Sequence, residues 1–238
     1  MFRKLLIVFA SGVILTIVAF SAAWVIGGDK FRRDVNEGDI NWTIGGDDDA
    51  ADSPQITRNF AIQPGARLAM DIPVQLVFTK GDKPEMVVSG PQQLVDRLTW
   101  EDGRLAVKGS WHSRKGLKVR ITAPEIEGLD FDAPGDVTLT GLDQDSLTVN
   151  GNGALSLAAT GKVRKLAVTT DGAGSLDFGK VEVQDATVEV NGAGDLTLGA
   201  SGNVSVQING IGNVTLVRKP ANLKTEINGI GNVSHDYK

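Results

Sequence analysis

The chain has 238 residues, 41% of them apolar, with no cysteine and a formal net charge of −5. This composition is globular rather than disordered, and the missing cysteines exclude a disulfide framework and thiol chemistry. The acidic balance argues against a nucleic-acid binder, which carries a basic patch; between Arg164 and the terminal Lys238 the cations are only Lys165, Lys180, Arg218, Lys219 and Lys224.

Residues 1–28 read as a targeting element. Arg3 and Lys4 precede an uncharged run to Gly28, and its apolar part, residues 5–26, meets the roughly 20 residues needed to cross a bilayer as a helix. Positive charge at its start keeps the N-terminus cytoplasmic and sends the rest across. Two readings stay open: a retained transmembrane anchor, or a signal peptide cleaved near Ser21-Ala22-Ala23. Residues 29–57 are rich in Gly, Asp and Asn and read as a solvated tether. Its acidic run, Asp47-Asp48-Asp49, lacks the spacing of an EF-hand loop, and Trp42, between Ile40 and Ile44, is a short strand or an interface anchor.

Residues 58–238 are expected to form one β-solenoid domain, with lead-in strands and a cap over 58–125 and repeats over 126–238. In the lead-in, Leu68, Met70, Ile72, Val74, Leu76 and Phe78 alternate without interruption, which predicts one long half-buried strand. Thr79 to Pro84 turns into a strand at Met86 to Ser89. Pro91 to Leu98 is the place for a short helix. Asp102-Gly103 between Leu98/Trp100 and Leu105/Val107 is a hairpin signal, and Leu117, Val119 and Ile121 close the series. Trp111 to Lys115, which includes His112, mixes aromatic and basic residues and reads as a charged loop.

From Phe131 onward one short sequence recurs six times: FDAPGDVTL, VNGNGALSL, TDGAGSLDF, VNGAGDLTL, INGIGNVTL and INGIGNVSH. Aligned on the last glycine of each, the copies place Gly135, Gly153, Gly174, Gly194, Gly212 and Gly231 in one column. Self-similarity at about 19 residues means a stacked solenoid, each unit burying its apolar edge against its neighbours. Alternating pairs before the corner (Val188/Val190, Val206/Ile208) and after it (Leu196/Leu198, Val214/Leu216) make each repeat a strand, a corner, a strand and a loop. Asn and Gly at the corner are expected to supply positive φ. The competing readings are a meander of Asn-Gly hairpins and a leucine-rich repeat; the linking segments lack the helical period that the second requires.

Three residues before these glycines stand Asp132, Asn150, Asp171, Asn191, Asn209 and Asn228. In register they would form a hydrogen-bonded corner ladder, a structural role rather than a catalytic or ligand-binding one. His235 and the charged tail that follows read as a polar ending that blocks end-to-end stacking.

The lead-in (FAIQPGARLAMDIPVQLVFTKGD, LTWEDGRLAVKG, KVRITAPEIEGLDFDAPGDV) together with the INGIGNV corners resembles the bacterial putative auto-transporter adhesin head GIN domain family across residues 58–238. The resemblance implies an all-β, right-handed parallel β-helix of the cell envelope, no assigned catalytic residues, no cofactor and no metal. No series of amphipathic strands follows the repeats to supply a translocator barrel. The function expected is a non-enzymatic, membrane-tethered binding, adhesion or scaffold module in the periplasm or beyond it. A glycan or protein ligand would lie on the solenoid flank, with no nucleic acid bound and the oligomeric state open. Two alternatives compete. A polysaccharide-active β-helix enzyme would need two carboxylates about 5–9.5 Å apart, whereas Asp136 and Asp195 share a motif position three copies apart, and Asp171 belongs to the corner column although Asp177 is nearer to it. A calcium-stabilised β-roll is suggested by Gly192-Ala193-Gly194-Asp195-Leu196, but its acidic position varies between copies.

Overall fold

The computed structural model describes residues 54–109 and 116–237. The predicted N-terminal helix, its membrane partner at residues 5–26, most of the tether and the Trp111–Lys115 loop lie outside the described residues. Among the described residues no helix is long and apolar enough to cross a membrane. The tether gives way to structure earlier than residue 58, because β1 spans Gln55–Phe60.

The architecture is an all-β solenoid of about five turns. Its longest elements are β9 (Gly135–Gly151), β10 (Ala154–Thr170) and β11 (Ala173–Val190), which stack in parallel. Each runs through what the sequence pattern marks as strand and linking loop. The link is in fact a third strand face: Gly161, Lys162 and Val163 pair with Val181, Glu182 and Val183, and Leu142, Val163 and Val181 point inward and are buried. Helical periodicity is missing there because the segment is extended. Gly161 bends the chain between faces at φ 126°, with Leu142 backbone 2.2 Å from where a Cβ would stand.

On the face entering each Asn-Gly corner, β2 (Arg67–Met70), β8 (Gly128–Phe131), the ends of β9, β10 and β11, then β13 (Asn203–Ile208) and β15 (Asn222–Ile227) lie in parallel order. On the face leaving it the order is β3 (Val74–Lys80), the starts of β9, β10 and β11, then β12 (Ala193–Ala200), β14 (Ile211–Leu216) and β16 (Ile230–His235). The uninterrupted alternation from Leu68 to Phe78 is therefore not one strand. Asp71, Ile72 and Pro73 form a corner stacked on that of the next coil, where the Asp132 N–H donates to the Met70 carbonyl at 3.1 Å and the Val74 N–H to the Pro134 carbonyl at 3.1 Å. Inward-outward parity survives the corner, so alternation alone hides it.

The N-terminal end closes antiparallel. β7 (Leu117–Ala123) pairs parallel with β3, but β4 (Glu85–Pro91) and then β1 add antiparallel strands beyond it. On the other face, β5 (Leu98–Glu101) and β6 (Arg104–Val107) form the Asp102-Gly103 hairpin against β2. Helix α1 is a single turn, Gln92–Val95, with Leu94 and Val95 buried. Phe78, Phe131 and Phe178 are fully buried along the interior.

The last coil differs from the polar ending expected of it. Every residue of β15 is exposed, yet its inward positions remain apolar at Leu223 (38% exposed) and Ile227 (43%), and Ile230 beside them is 73% exposed. His235 and Thr225 change two inward positions, in register with Leu216 and Val206, and leave Leu223, Ile227 and Val233 as hydrocarbon.

Candidate binding groove

The corners set the register of everything beside them. Backbone pairing aligns Phe131, Gly151, Thr170, Val190, Ile208 and Ile227 across successive coils. The next column is accordingly Asp132, Asn152, Asp171, Asn191, Asn209 and Asn228. Asn152 Nδ2 donates to Asp132 at 2.7 Å, Asn191 to Asp171 at 2.7 Å, Asn209 to Asn191 at 2.7 Å and Asn228 to Asn209 at 3.2 Å. Asn150, expected in this column, is two residues early. It joins a second column of Asp130, Asn150, Thr169, Glu189, Gln207 and Glu226, and its Nδ2 donates to Asp130 at 2.7 Å.

The same two-residue slip affects the glycines. Gly135, Gly174, Gly194, Gly212 and Gly231 align as expected, but their second-coil counterpart is Leu155 rather than Gly153. The frame of VNGNGALSL is thus set by Asn152-Gly153-Ala154, and the preceding Asn150-Gly151 imitates it. Positive φ is also not what the corners need: among the described residues it is confined to Asp102, Gly65, Gly103, Gly109, Gly141 and Gly161. Glycine is required by proximity. A Cβ on Gly192 would stand 1.8 Å from the Gly172 carbonyl oxygen of the coil above.

Both columns begin at arginines. Arg67 forks onto Asp130 at 2.6 and 2.7 Å. Arg104 donates to Asp132 at 3.0 Å and also pairs with Asp71. The Asn152 amide, and then Arg104, hold the Asp132 carboxyl below the usual carboxylate range. Cross-links tie the two columns: Asn191 Nδ2 donates to Glu189 at 3.1 Å, and Asn228 Nδ2 to Glu226 at 3.2 Å. With their groups engaged to one another, these side chains serve the stack. Each net hydrogen bond contributes on the order of 1 kcal/mol.

Farther from the corner, the entering face carries a groove of about 650 Å³ that crosses five coils. One side is the outward column Ser146, Lys165, Asp185, Asn203 and Asn222. The other is Thr148, Ala167, Thr187, Ser205 and Lys224, with backbone between them. The second column is concave because four of its five residues are small, whereas the column beyond it carries Glu189, Gln207 and Glu226. The groove wall is braced: the Asn203 N–H and Nδ2 donate to Asp185 at 2.8 and 2.9 Å, and Asn222 Nδ2 donates to Asn203 at 2.9 Å. The Asn203 backbone N–H is the main reason the Asp185 carboxyl is held below its ordinary range, followed by the Asn203 amide and the nearby Lys165 and Arg164 charges. What the groove presents is a line of hydroxyls and amides with two cations, Lys165 and Lys224, and one anion, Asp185, at a spacing of about 4.8 Å per coil along the solenoid axis. None of these residues belongs to the G-x-G motif, so motif reading passed over them; the available signal was the run of small residues at a constant offset before each corner.

The carboxylates weighed as candidates in the sequence lie apart among the described residues. Asp136 aligns with Ser156, Ser175 and Asp195, which puts the two carboxylates three ladder steps, roughly 14 Å, apart. The intervening residue in the second coil is Ser156, not the Ala154 that a motif alignment suggests. Asp177 is turned to the Gly179 N–H at 2.8 Å. Among the described residues no cluster of three or more His, Asp or Glu side chains is placed to hold a metal ion.

The family model described as putative auto-transporter adhesin, head GIN domain, matches residues 67–220, well over half of the chain. The chain belongs to this family. Among solved structures, a putative adhesin from Bacteroides fragilis is 17% identical, with a TM-score of 0.54 over 76% of this chain and 97% of that one. A putative lipid binding protein from Parabacteroides distasonis is 13% identical (TM-score 0.45, 77% and 97% covered), and a putative adhesin from the same species is 17% identical (TM-score 0.41, 77% and 98% covered). At these identities the first likeness speaks for the GIN fold alone. Comparison with curated proteins gives no match.

Proposed function

We propose that this GIN domain is a non-enzymatic binding module of the cell envelope that holds a linear, hydroxyl-rich chain, a glycan, along the groove of the entering face. The observation that carries this reading is the column Thr148, Ala167, Thr187 and Ser205, four small outward residues in consecutive coils beside a braced wall of Asp185, Asn203 and Asn222. A ligand lying along the axis meets a hydrogen-bonding or charged side chain at every coil, which suits a polymer better than a compact molecule. Membership of an adhesin-named family supports a binding role, and the carboxylate spacing supports the absence of glycoside hydrolysis. The domain is carried at the outer side of a membrane by the apolar segment at residues 5–26, and its coil is right-handed, the hand adopted by nearly all parallel crossovers.

The test is binding of the full-length protein to an array of linear polysaccharides, beside the Ala167→Trp variant, which fills the groove from an outward position. The expected result is retention of one polysaccharide class by the parent protein and at least tenfold weaker retention by the variant at an unchanged melting temperature. Equal retention by both would overturn the groove as the binding site. Turnover of a bound glycan would overturn the non-enzymatic reading.

A further inference from the structure

The two ends of the solenoid are finished differently, and the C-terminal end is complementary to itself. Among the described residues, β15 and β16 each have one strand neighbour, β13 and β14 respectively, so both present an open edge six residues long. Such edges template pairing unless they are blunted by proline, bulges, shortness or unfavourable charge. Neither strand contains a proline or a bulge, and Leu223, Ile227 and Ile230 add exposed hydrocarbon at the same end.

Hydrogen-bond polarity along β15 selects a register. The N–H groups of Asn222 and Asn228 point back to Gly202 and Ile208 of the preceding coil. By the two-residue period of a strand, the N–H and C=O groups of Leu223, Thr225 and Ile227 therefore face the open edge. An antiparallel partner with the same sequence, centred on Thr225, would make Thr225 opposite Thr225 a hydrogen-bonded pair that exchanges both bonds. Leu223 then faces Ile227 twice, continuing the apolar column. Lys224 faces Glu226 twice, in the non-hydrogen-bonded pairs where side chains approach most closely. Asn222 faces Asn228, two amides at the ends of their own ladders. One register satisfies backbone, hydrocarbon, charge and amides together.

We propose that the C-terminal coil is a homodimer interface, in which two copies of this chain join end to end about a two-fold axis through Thr225 of β15. Because this patch meets itself, the association closes at two copies and does not propagate. Among the described residues the N-terminal end is blunted: Pro54 precedes β1, Arg58 is folded onto Phe60 and donates to the Leu98 carbonyl, and β5 is only four residues long. With β15 alone supplying the backbone pairing, the contact lies at the low end for a specific interface, so the dimer is expected to dissociate in the micromolar range.

The experiment is sedimentation velocity of the full-length protein, at concentrations up to the order of 100 µM, for the parent, Lys224→Glu, Glu226→Lys and the double exchange. The expected result is a concentration-dependent dimer that each single exchange weakens at least tenfold, because like charges then face each other twice. The double exchange restores it, and an equimolar mixture of the two single variants associates as a heterodimer. Thr225→Pro, which removes an outward N–H without touching the bonds to β13, is expected to abolish association while the melting temperature stays near that of the parent. A parent protein that remains monomeric throughout would overturn the proposal. So would a dimer indifferent to both single exchanges, which would have to use another surface.

Discussion

The capped and open ends of this solenoid are built from the same inward-outward alternation, yet only one is finished. At the N-terminal end the sheet changes from parallel to antiparallel at β7–β4, a helical turn buries Leu94 and Val95, and Trp100 packs on the core with its ring centroid 6.2 Å from that of Phe60. At the C-terminal end, among the described residues, no further strand covers β15 and β16, and the β15 positions whose counterparts are buried in earlier coils are exposed. The difference teaches that stacking, not the motif, supplies stability. An Asn-Gly corner with coils on both sides is rigid, and the same corner in the last coil is held from one side only.

This comparison can be broken or sharpened by matched substitutions in the two regions. The largest effect is expected for Phe178→Ala, which empties a fully buried site between coils and should cost about 3–5 kcal/mol; Val233→Ala, half-buried on the mostly exposed β16, should cost about 1 kcal/mol. Chemical denaturation of both variants measures the ratio, and equal losses would dismiss the contrast. Gly192→Ala places a methyl group against the Gly172 carbonyl and should cost about 3 kcal/mol, whereas Gly229→Ala faces the Gly210 carbonyl at 1.9 Å but lies in a coil free to shift, with an expected loss of about 1 kcal/mol. Asn191→Ala interrupts the ladder between Asp171 and Asn209 and should cost about 1–2 kcal/mol, against under about 0.5 kcal/mol for Asn228→Ala at its end. Native-state hydrogen exchange at concentrations below dimer formation should find amides of β15 and β16 opening locally, while those of β9 to β11 exchange only near the global unfolding free energy.

The smallest effect is electrostatic. The carboxyls of Asp132, Asp143, Asp145 and Asp185 are each held below their ordinary range, by the Asn152 amide, Lys80, Arg164 and the Asn203 backbone N–H respectively. A depressed folded pKa contributes stability that is present above the unfolded value, near 3.9, and is lost as pH falls through the lower folded values. The melting temperature should therefore fall below about pH 4. Asp132→Asn keeps an acceptor for Asn152 but loses the Arg104 pair, so it should lower the melting temperature slightly at pH 7 and flatten its decline in acid. An unchanged acid profile in that variant would remove Asp132 from the account.

Much of this fold was legible because each coil repeats a physical requirement. The period, the parallel stacking and the buried columns follow from alternation around Asn-Gly corners, and Asp102-Gly103 announces its hairpin. What escaped has specific causes. The corner at Asp71–Pro73 preserves alternation and so mimics a continuous strand. The link face around Val163 and Val181 carries too few apolar residues to declare itself a strand. In the second coil, Asn150-Gly151-Asn152-Gly153 contains the corner signal twice, and only backbone pairing decides between the two frames. The groove was hidden for a different reason: it is made by side chains that are small, and smallness in a single repeat carries no message until the coils are stacked.

Leu155 has a consequence of its own. It is buried between Gly135 and Gly174 in a column that is glycine in each of the other repeats, and its methyl groups lie about 3 Å from where a Cβ on Gly135 or on Gly151 would stand. A chain of near-identical coils has many nearly equivalent ways to thread, because shifting one coil along the stack exchanges Asn for Asn and Val for Ile. A bulky side chain that fits only beside Gly135, Gly151 and Phe131 makes one alignment distinguishable from the others. Leu155 is thus an address within a repetitive text, by which the folding chain can tell its second coil from its third.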